Sequence, residues 1–179
     1  MDALETFSRA VDTEDARIDL ARACLLVAGD AYPALDVEGY VGELERHAGR
    51  LASRLGVDIA PEEKVVALNE FLFDDRGYVG NTRDYYDPRN SYLNEVIDRR
   101  TGIPITLAVL YMEIGRRIGL PVEGVSFPGH FLVRLRVRGG TLVLDPFSGG
   151  MPQSEDDLRE RLRRVVPPGM AVGEASSVP

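Results

Sequence analysis

The chain has 179 residues, of which 44% are hydrophobic and 28% charged, with a formal net charge of −8. This length and composition predict one domain, or one domain with an appendage, whose core is large enough to need no disulfide staples. The acidic balance argues against nucleic-acid binding, because the arginines within 134–138 and 159–164 are interpreted as the solvated faces of a strand and a helix.

The beginning of the chain indicates no targeting segment. Residues 1–5 are acidic and lack the basic and apolar regions of a signal peptide, and no run approaches the roughly 18 apolar residues of a membrane helix. Cys24 is the single cysteine, which excludes an internal disulfide and a cysteine-based zinc site. We therefore expect a cytoplasmic protein with no membrane segment and no cofactor.

Apolar residues at helical spacing predict three helices, over residues 14–31, 37–55 and 61–74. Cys24 lies within the apolar stripe of the first helix. That position favours core packing over nucleophilic chemistry, because a reactive thiol needs an electropositive setting. His47 on the second helix has no acidic or hydroxyl cluster beside it, and it is interpreted as a surface histidine.

An irregular segment is predicted over residues 77–90, which are rich in tyrosines and turn-forming residues. Two interpretations are open: an ordered surface loop held by its tyrosines, or one wall of a binding groove. Under the second interpretation, the groove is lined by Tyr85, Tyr86, Asp87, Arg89, Asn90 and Asn94.

Two helices are predicted after this segment. Asn90 or Ser91 is expected to cap a helix that runs to about Arg99. Pro104 suits the first turn of a longer helix that ends near residue 118. Because this second helix is apolar on more than one side, it is expected to be central and largely buried.

The hydrophobic period changes from residue 122 onward, where alternation predicts a small antiparallel sheet. The predicted strands are 122–127, 130–138 and 141–145. Gly139 and Gly140 are predicted to form the hairpin turn between the last two strands. A final amphipathic helix is predicted over 155–165.

The hairpin is expected to place His130 and Asp145 on one face of the sheet. If the two glycines are the central turn residues, alternation gives both side chains the same orientation. The same register sets Asp145 opposite Arg134, roughly 13 Å along the strand from His130. A direct bond therefore requires a looser hairpin; with that bond, the carboxylate would orient the imidazole as the base half of a catalytic triad.

The nucleophile of such a triad is missing. A thiol is favoured at a helix N-terminus, where its pKa is lowered, but the helix start at 102–106 has no cysteine. Thr106 has the only hydroxyl of that first turn and is a weak candidate, because an unactivated threonine is a poor nucleophile and a role in starting the helix suffices. His130 has no second histidine or cysteine nearby in sequence, which argues against a metal site.

Three stretches resemble the bacterial SirB-type branch of the transglutaminase-like superfamily. They are 81–94, which contains Tyr-Tyr-Asp-Pro-Arg-Asn-Ser-Tyr-Leu-Asn; 99–107, Arg-Arg-Thr-Gly-Ile-Pro-Ile-Thr-Leu; and 127–133, Phe-Pro-Gly-His-Phe-Leu-Val. The resemblance extends over residues 15–165. It implies a papain-like α+β fold, with the core at 77–166 behind an N-terminal helical segment at 1–76. It also implies tetratricopeptide-like helices beyond the tail at 167–179, which is expected to be unfolded on its own.

The resemblance also assigns roles to residues. His130 and Asp145 match the superfamily's histidine and aspartate, and the cysteine position falls near Pro104. This implies a non-catalytic transglutaminase-like domain, or pseudoenzyme, whose retained cleft binds a peptide or a partner protein. One alternative is a cryptic hydrolase or acyltransferase that uses His130 and Asp145 with help from Asp87 or Thr106. The other is a structural remnant in which these side chains only hold loops.

Overall fold

The computed structural model describes residues 3–13 and 18–165. Residues 14–17 of the first predicted helix and the predicted tail at 167–179 lie outside the described residues. The architecture combines helices with small sheets, which confirms the predicted α+β class. In the part of the chain that the structure describes, no helix is long and apolar enough to span a membrane.

Seven α-helices and six short strands make up the described chain. The helices are α1 (Ala3–Val11), α2 (Leu20–Ala31), α3 (Val37–Ala52), α4 (Pro61–Asn69), α5 (Leu93–Arg99), α6 (Pro104–Arg117) and α7 (Glu155–Val165). The strands are β1 (Val79–Gly80), β2 (Thr101–Gly102), β3 (Glu123–Phe127), β4 (His130–Val137), β5 (Gly140–Asp145) and β6 (Met151–Pro152). Strands β1 and β2 form a parallel pair, and β3 to β6 form an antiparallel sheet in sequence order.

Helix α6 is the centre of the fold, as its apolar residues on several sides predict. Every residue from Thr106 to Gly115 is buried. Helices α2 to α5 and strands β3 and β4 contact this helix. One hydrophobic core therefore includes Leu25 from α2, Leu44 from α3, Leu107 from α6 and Val133 from β4.

The helix boundaries differ from the predicted ones where local capping decides them. Helix α2 begins at Leu20, because the Asp19 side chain accepts a hydrogen bond from a backbone N–H of its first turn. The predicted caps of α5 are wrong: Asn90 and Ser91 belong to a 3-10 turn, Pro88–Ser91, and Tyr92 precedes the helix. A π-helical turn, Glu70–Asp75, continues α4, and α1 had no counterpart among the predicted helices.

The register of the β4–β5 hairpin differs from the predicted one by two residues. Val137 pairs with Gly140, so Arg138 and Gly139 are the central turn residues, and Gly139 has the positive φ (+97°) that favours glycine. Arg134 consequently faces Val143, and the predicted placement of Asp145 opposite Arg134 is wrong. The shift moves Asp145 toward the start of β4 without a wider turn.

Candidate functional site

His130 and Asp145 form a direct hydrogen bond. The distance between His130 Nε2 and Asp145 Oδ1 is 2.8 Å, and the two side chains are 9% and 0% exposed. An ionised carboxylate only accepts hydrogen bonds, so Nε2 carries the hydrogen and the neutral ring has its lone pair on Nδ1. Among the described residues, His130 Nδ1 has no hydrogen-bond partner. The two side chains therefore meet on one face of the sheet, as side-chain alternation predicts.

Three further donors hold the Asp145 carboxylate. The backbone N–H of Phe147 donates to Oδ1 at 3.1 Å, and Ser148 Oγ and Arg161 Nη2 donate to Oδ2 at 2.9 and 3.0 Å. Phe147 and Ser148 belong to the 3-10 turn Pro146–Ser148 that follows β5. Burial by itself would raise the pKa of Asp145, but the bonds from His130, Ser148 and Arg161 outweigh it and lower that pKa.

Arg161 is a site residue that the sequence did not reveal. The arginines of α7 were interpreted as a solvated face, but the Arg161 side chain is only 30% exposed and forms an ion pair with Asp145. The sequence of an amphipathic helix does not indicate which distant residue one of its charged side chains will contact. Here the partner lies 16 residues earlier in the chain. The ion pair ties α7 to the end of β5.

The lowered pKa of Asp145 predicts a loss of stability in acid. A carboxyl group whose folded pKa lies below its unfolded value of about 3.9 stabilises the fold above that value and loses its contribution as the pH falls through the folded pKa. We expect the difference in unfolding free energy between wild type and Asp145→Asn to decrease as the pH falls from about 5 to about 2. Urea unfolding at each pH measures this difference, and a constant difference would contradict it.

The start of α6 offers no nucleophile. Pro104 is the first residue of the helix. Thr106 is buried, and its Oγ1 accepts from the Ile103 N–H at 3.1 Å and donates to the Asn90 carbonyl oxygen at 2.9 Å. The Thr106 hydroxyl is therefore occupied in holding the helix start.

Cys24 does not compensate for the missing thiol. Burial is the main reason that the pKa of Cys24 is raised to about 11, and the carboxylates of Glu113 and Asp19 add to it. The thiol therefore stays protonated at neutral pH. Within the described ranges, no three histidine, cysteine, aspartate or glutamate side chains are grouped as metal ligands would be.

Asn90 and Asn94, two of the predicted groove residues, lie below the surface. Asn90 is 0% exposed and its Nδ2 donates to the carbonyl oxygens of Asp84 and Tyr85, at 2.8 and 3.1 Å. Its Oδ1 accepts from Asn81 Nδ2 at 3.1 Å. Asn94 is 3% exposed. Asn90 therefore supports the loop from within, whereas Asn94 Oδ1 is buried without a hydrogen-bond partner among the described residues.

Asp87 and Arg89 are paired with each other at the edge of the same loop. The Asp87 carboxylate accepts the Arg89 backbone N–H at 3.0 Å and forms ion pairs with Arg89 and Arg99 at 2.8 and 3.1 Å. The hydrogen bonds from Arg89 are the main reason that the pKa of Asp87 is lowered. A carboxylate held in this way is a poor proton donor at neutral pH, which argues against Asp87 as an acid.

Aromatic rings connect the loop to His130. The ring centroids of Tyr86 and Tyr85 are 5.4 Å apart, those of Tyr85 and Phe147 are 6.1 Å apart, and those of Phe147 and His130 are 5.9 Å apart. We call these four residues the aromatic row. It runs from Tyr86, which is 91% exposed, through Tyr85, which is 40% exposed, and Phe147 to His130, whose side chain is 9% exposed.

Gly80 allows the aromatic row to close. A Cβ atom at Gly80 would lie 2.6 Å from the Phe147 carbonyl oxygen and 2.7 Å from its ring. The sequence singled out the two tyrosines and the histidine, but it did not identify Phe147 as the ring that joins them. That role depends on the turn after β5 packing against β1.

Comparison with known proteins identifies several relatives. A sequence profile described as the transglutaminase-like superfamily matches residues 38–176. A UPF0162 protein of Xylella fastidiosa is 46% identical over 160 residues, which are 89% of this chain and 57% of that protein. A UPF0162 protein of Vibrio cholerae is 36% identical over 84 residues, or 46% of this chain and 31% of that protein.

Human F-box only protein 21 is 48% identical over 68 residues, which are 38% of this chain and 11% of that protein. The chain spans 57% of the length of the Xylella relative. The profile match begins within α3, so it includes α6, the sheet and both members of the His130–Asp145 pair.

Proposed function

This chain belongs to the transglutaminase-like superfamily, and from that membership we propose that it binds a peptide or a segment of a partner protein in the cleft at His130, without acyl transfer or hydrolysis. The aromatic row is the observation that carries the proposal. It connects two exposed tyrosine rings, through Phe147, to the histidine that would face a substrate in a catalytic member of the family.

Exposed tyrosines suit peptide recognition for a physical reason. An aromatic ring buries a large area on binding while losing the freedom of few rotatable bonds, and tyrosine dominates many protein interfaces. Tyr86 is 91% exposed, so almost its whole surface is available to a ligand. Tyr85 packs between Tyr86 and Phe147, which holds the exposed ring in place beside the cleft.

Three observations on the residues that could supply or replace a nucleophile support the absence of catalysis. Pro104 occupies the helix start, the Thr106 hydroxyl is taken up by two backbone groups, and the Cys24 thiol has a raised pKa. His130 could still accept a proton at Nδ1. Without a group to activate, however, the base has no acyl-transfer chemistry to perform.

We also infer a finer family assignment and a location. The motifs at 81–94, 99–107 and 127–133 support membership of the bacterial SirB-type branch. The single cysteine, Cys24, is a half-buried free thiol, which supports location in a reducing cytoplasm.

Peptide binding should depend on Tyr86. We expect Tyr86→Ala to weaken the binding of peptides selected from a random display library by about tenfold, or about 1.4 kcal/mol, because an exposed ring would lose its buried contact area. Fluorescence anisotropy of the labelled peptides measures the change in Kd. The matched control is Val57→Ala, which truncates another exposed apolar side chain (93% exposed) outside the aromatic row and should leave Kd unchanged.

Two outcomes would contradict this function. Hydrolysis of the selected peptides, or acyl transfer to an added amine, that disappears in His130→Ala would establish the cryptic enzyme instead. If no peptide binds saturably and His130→Ala changes only the unfolding free energy, the site is a structural remnant.

A further inference from the structure

A cavity separate from the aromatic row lies between α3, the end of the π-helical turn and the end of α5. Its volume is about 360 Å³. The residues that line it are Glu43, Arg46, His47, Arg50, Arg76, Tyr78, Ile97, Asp98 and Arg100. None of them belongs to the aromatic row or contacts Asp145 through a hydrogen bond.

Four arginines surround this cavity: Arg46, Arg50, Arg76 and Arg100. None of the four forms an ion pair or a side-chain hydrogen bond with any residue that the structure describes, although Arg76 contacts the Phe71 ring at 5.2 Å. Guanidinium groups in this chain are otherwise commonly paired; Arg22 and Arg117 are examples. The cavity therefore brings together four guanidinium groups that have no acceptor within residues 3–13 and 18–165.

The two acidic residues of the lining do not cancel this charge. Glu43 and Asp98 oppose four guanidinium groups, which leaves an excess of two positive charges in a chain whose net charge is −8. The Asp98 carboxylate already accepts the Tyr40 hydroxyl at 2.6 Å. The local positive potential attracts anions to the cavity, although the protein as a whole is acidic.

The floor of the cavity is made of buried groups. His47 is 7% exposed, so its prediction as a surface histidine is wrong; it packs edge-on against Phe71, with ring centroids 5.8 Å apart. Tyr78 and Ile97 are 2% and 3% exposed. Burial first, and then the four arginines, lower the pKa of His47 to about 4, so its ring is neutral at pH 7.

Arg100 occupies a backbone position that favours glycine. It ends α5 in the left-handed region, with φ +55°. A non-glycine residue in that region is unfavourable. The arginine that stands there adds a guanidinium group to the cavity, so the position combines backbone strain with an exposed charge.

We propose that this cavity binds the phosphate groups of a small anionic molecule. Arginine presents a planar set of N–H donors that matches two phosphate oxygens at once. Four such side chains from three separate segments surround a volume within the range of small-molecule pockets. His47 and Tyr78, which are buried, also line the cavity and are polar side chains.

Calorimetric titration of the whole chain with inorganic pyrophosphate at low ionic strength tests the proposal. We expect saturable binding at one site, weakened about tenfold in Arg50→Gln, because a charge-assisted hydrogen bond contributes about one factor of ten or more. Arg100→Gly should weaken binding similarly while raising Tm, because glycine relieves the left-handed strain. Weaker binding together with a higher Tm would show that the loss of affinity does not come from loss of the folded state.

Arg136→Gln is the matched control, because Arg136 on β4 also has no ion pair among the described residues and does not line the cavity. Its pyrophosphate affinity should equal that of wild type. The proposal is overturned by the absence of saturable heat at millimolar pyrophosphate, by equal losses in Arg136→Gln and Arg50→Gln, or by tighter binding of citrate than of pyrophosphate.

Discussion

Replacing Asp145 with alanine is expected to destabilise the fold by about 3–5 kcal/mol, the range found when one partner of a buried charge pair is removed. Asp145 is 0% exposed and accepts hydrogen bonds from four donors. Its removal leaves the nearly buried His130 and the Phe147 N–H without their acceptor, and each such group costs free energy. Arg161 is part-exposed and can turn to water, so it contributes less.

Chemical denaturation at pH 7 measures this effect through the midpoint and slope of unfolding. Asp156→Ala is the matched control, because the Asp156 side chain is 92% exposed and forms its ion pair with the exposed Arg159. That variant should change the unfolding free energy by less than about 0.5 kcal/mol. A loss of under about 1 kcal/mol in Asp145→Ala would show that the four bonds add little to stability.

Gly150→Ala is expected to be the second most damaging of these changes, at about 2–4 kcal/mol. Gly150 has φ +74°, which strains any residue with a Cβ atom, and that atom would lie 2.2 Å from Asn69 Oδ1. Asn69 cannot move freely: its Nδ2 donates to the Gly150 carbonyl oxygen at 3.1 Å, and its Oδ1 accepts the Tyr111 hydroxyl at 2.9 Å. The substitution therefore adds a clash to the backbone strain.

The neighbouring residue provides the control for that clash. Gly149 has φ +71°, but a Cβ atom there would have nothing within 4 Å. Gly149→Ala should cost only the backbone strain, about 1–2 kcal/mol. Thermal and urea unfolding of both variants measures the difference, and equal losses would mean that Asn69 moves aside without breaking its two hydrogen bonds.

The site was predictable to the extent that it depends on strand alternation. Alternation alone places His130 and Asp145 on one face, and the 2.8 Å bond confirms that placement. The pair of glycines predicts the wrong central residues for the turn, because two adjacent glycines allow more than one two-residue turn. The distance between His130 and Asp145 depended on that choice of register.

The predicted groove residues show a second limit of what can be predicted from the sequence. A polar residue in a loop can face a ligand or its own backbone, and both environments favour the same amide and carboxylate side chains. Asn90 faces inward and bonds the loop carbonyl groups, whereas Tyr86 faces outward. Only the path of the loop distinguishes the two cases.

The sequence by itself determined the features that depend on neighbours along the chain. These are the helical and strand periods, the central place of α6 and the proline at its start where a thiol would be needed. Only the tertiary structure decided which distant polar groups meet: Arg161 with Asp145, and four unpaired arginines around the buried His47. Periodicity arises from local backbone geometry. The contacts between distant polar groups arise from the way separate elements pack, and that packing depends on the whole core.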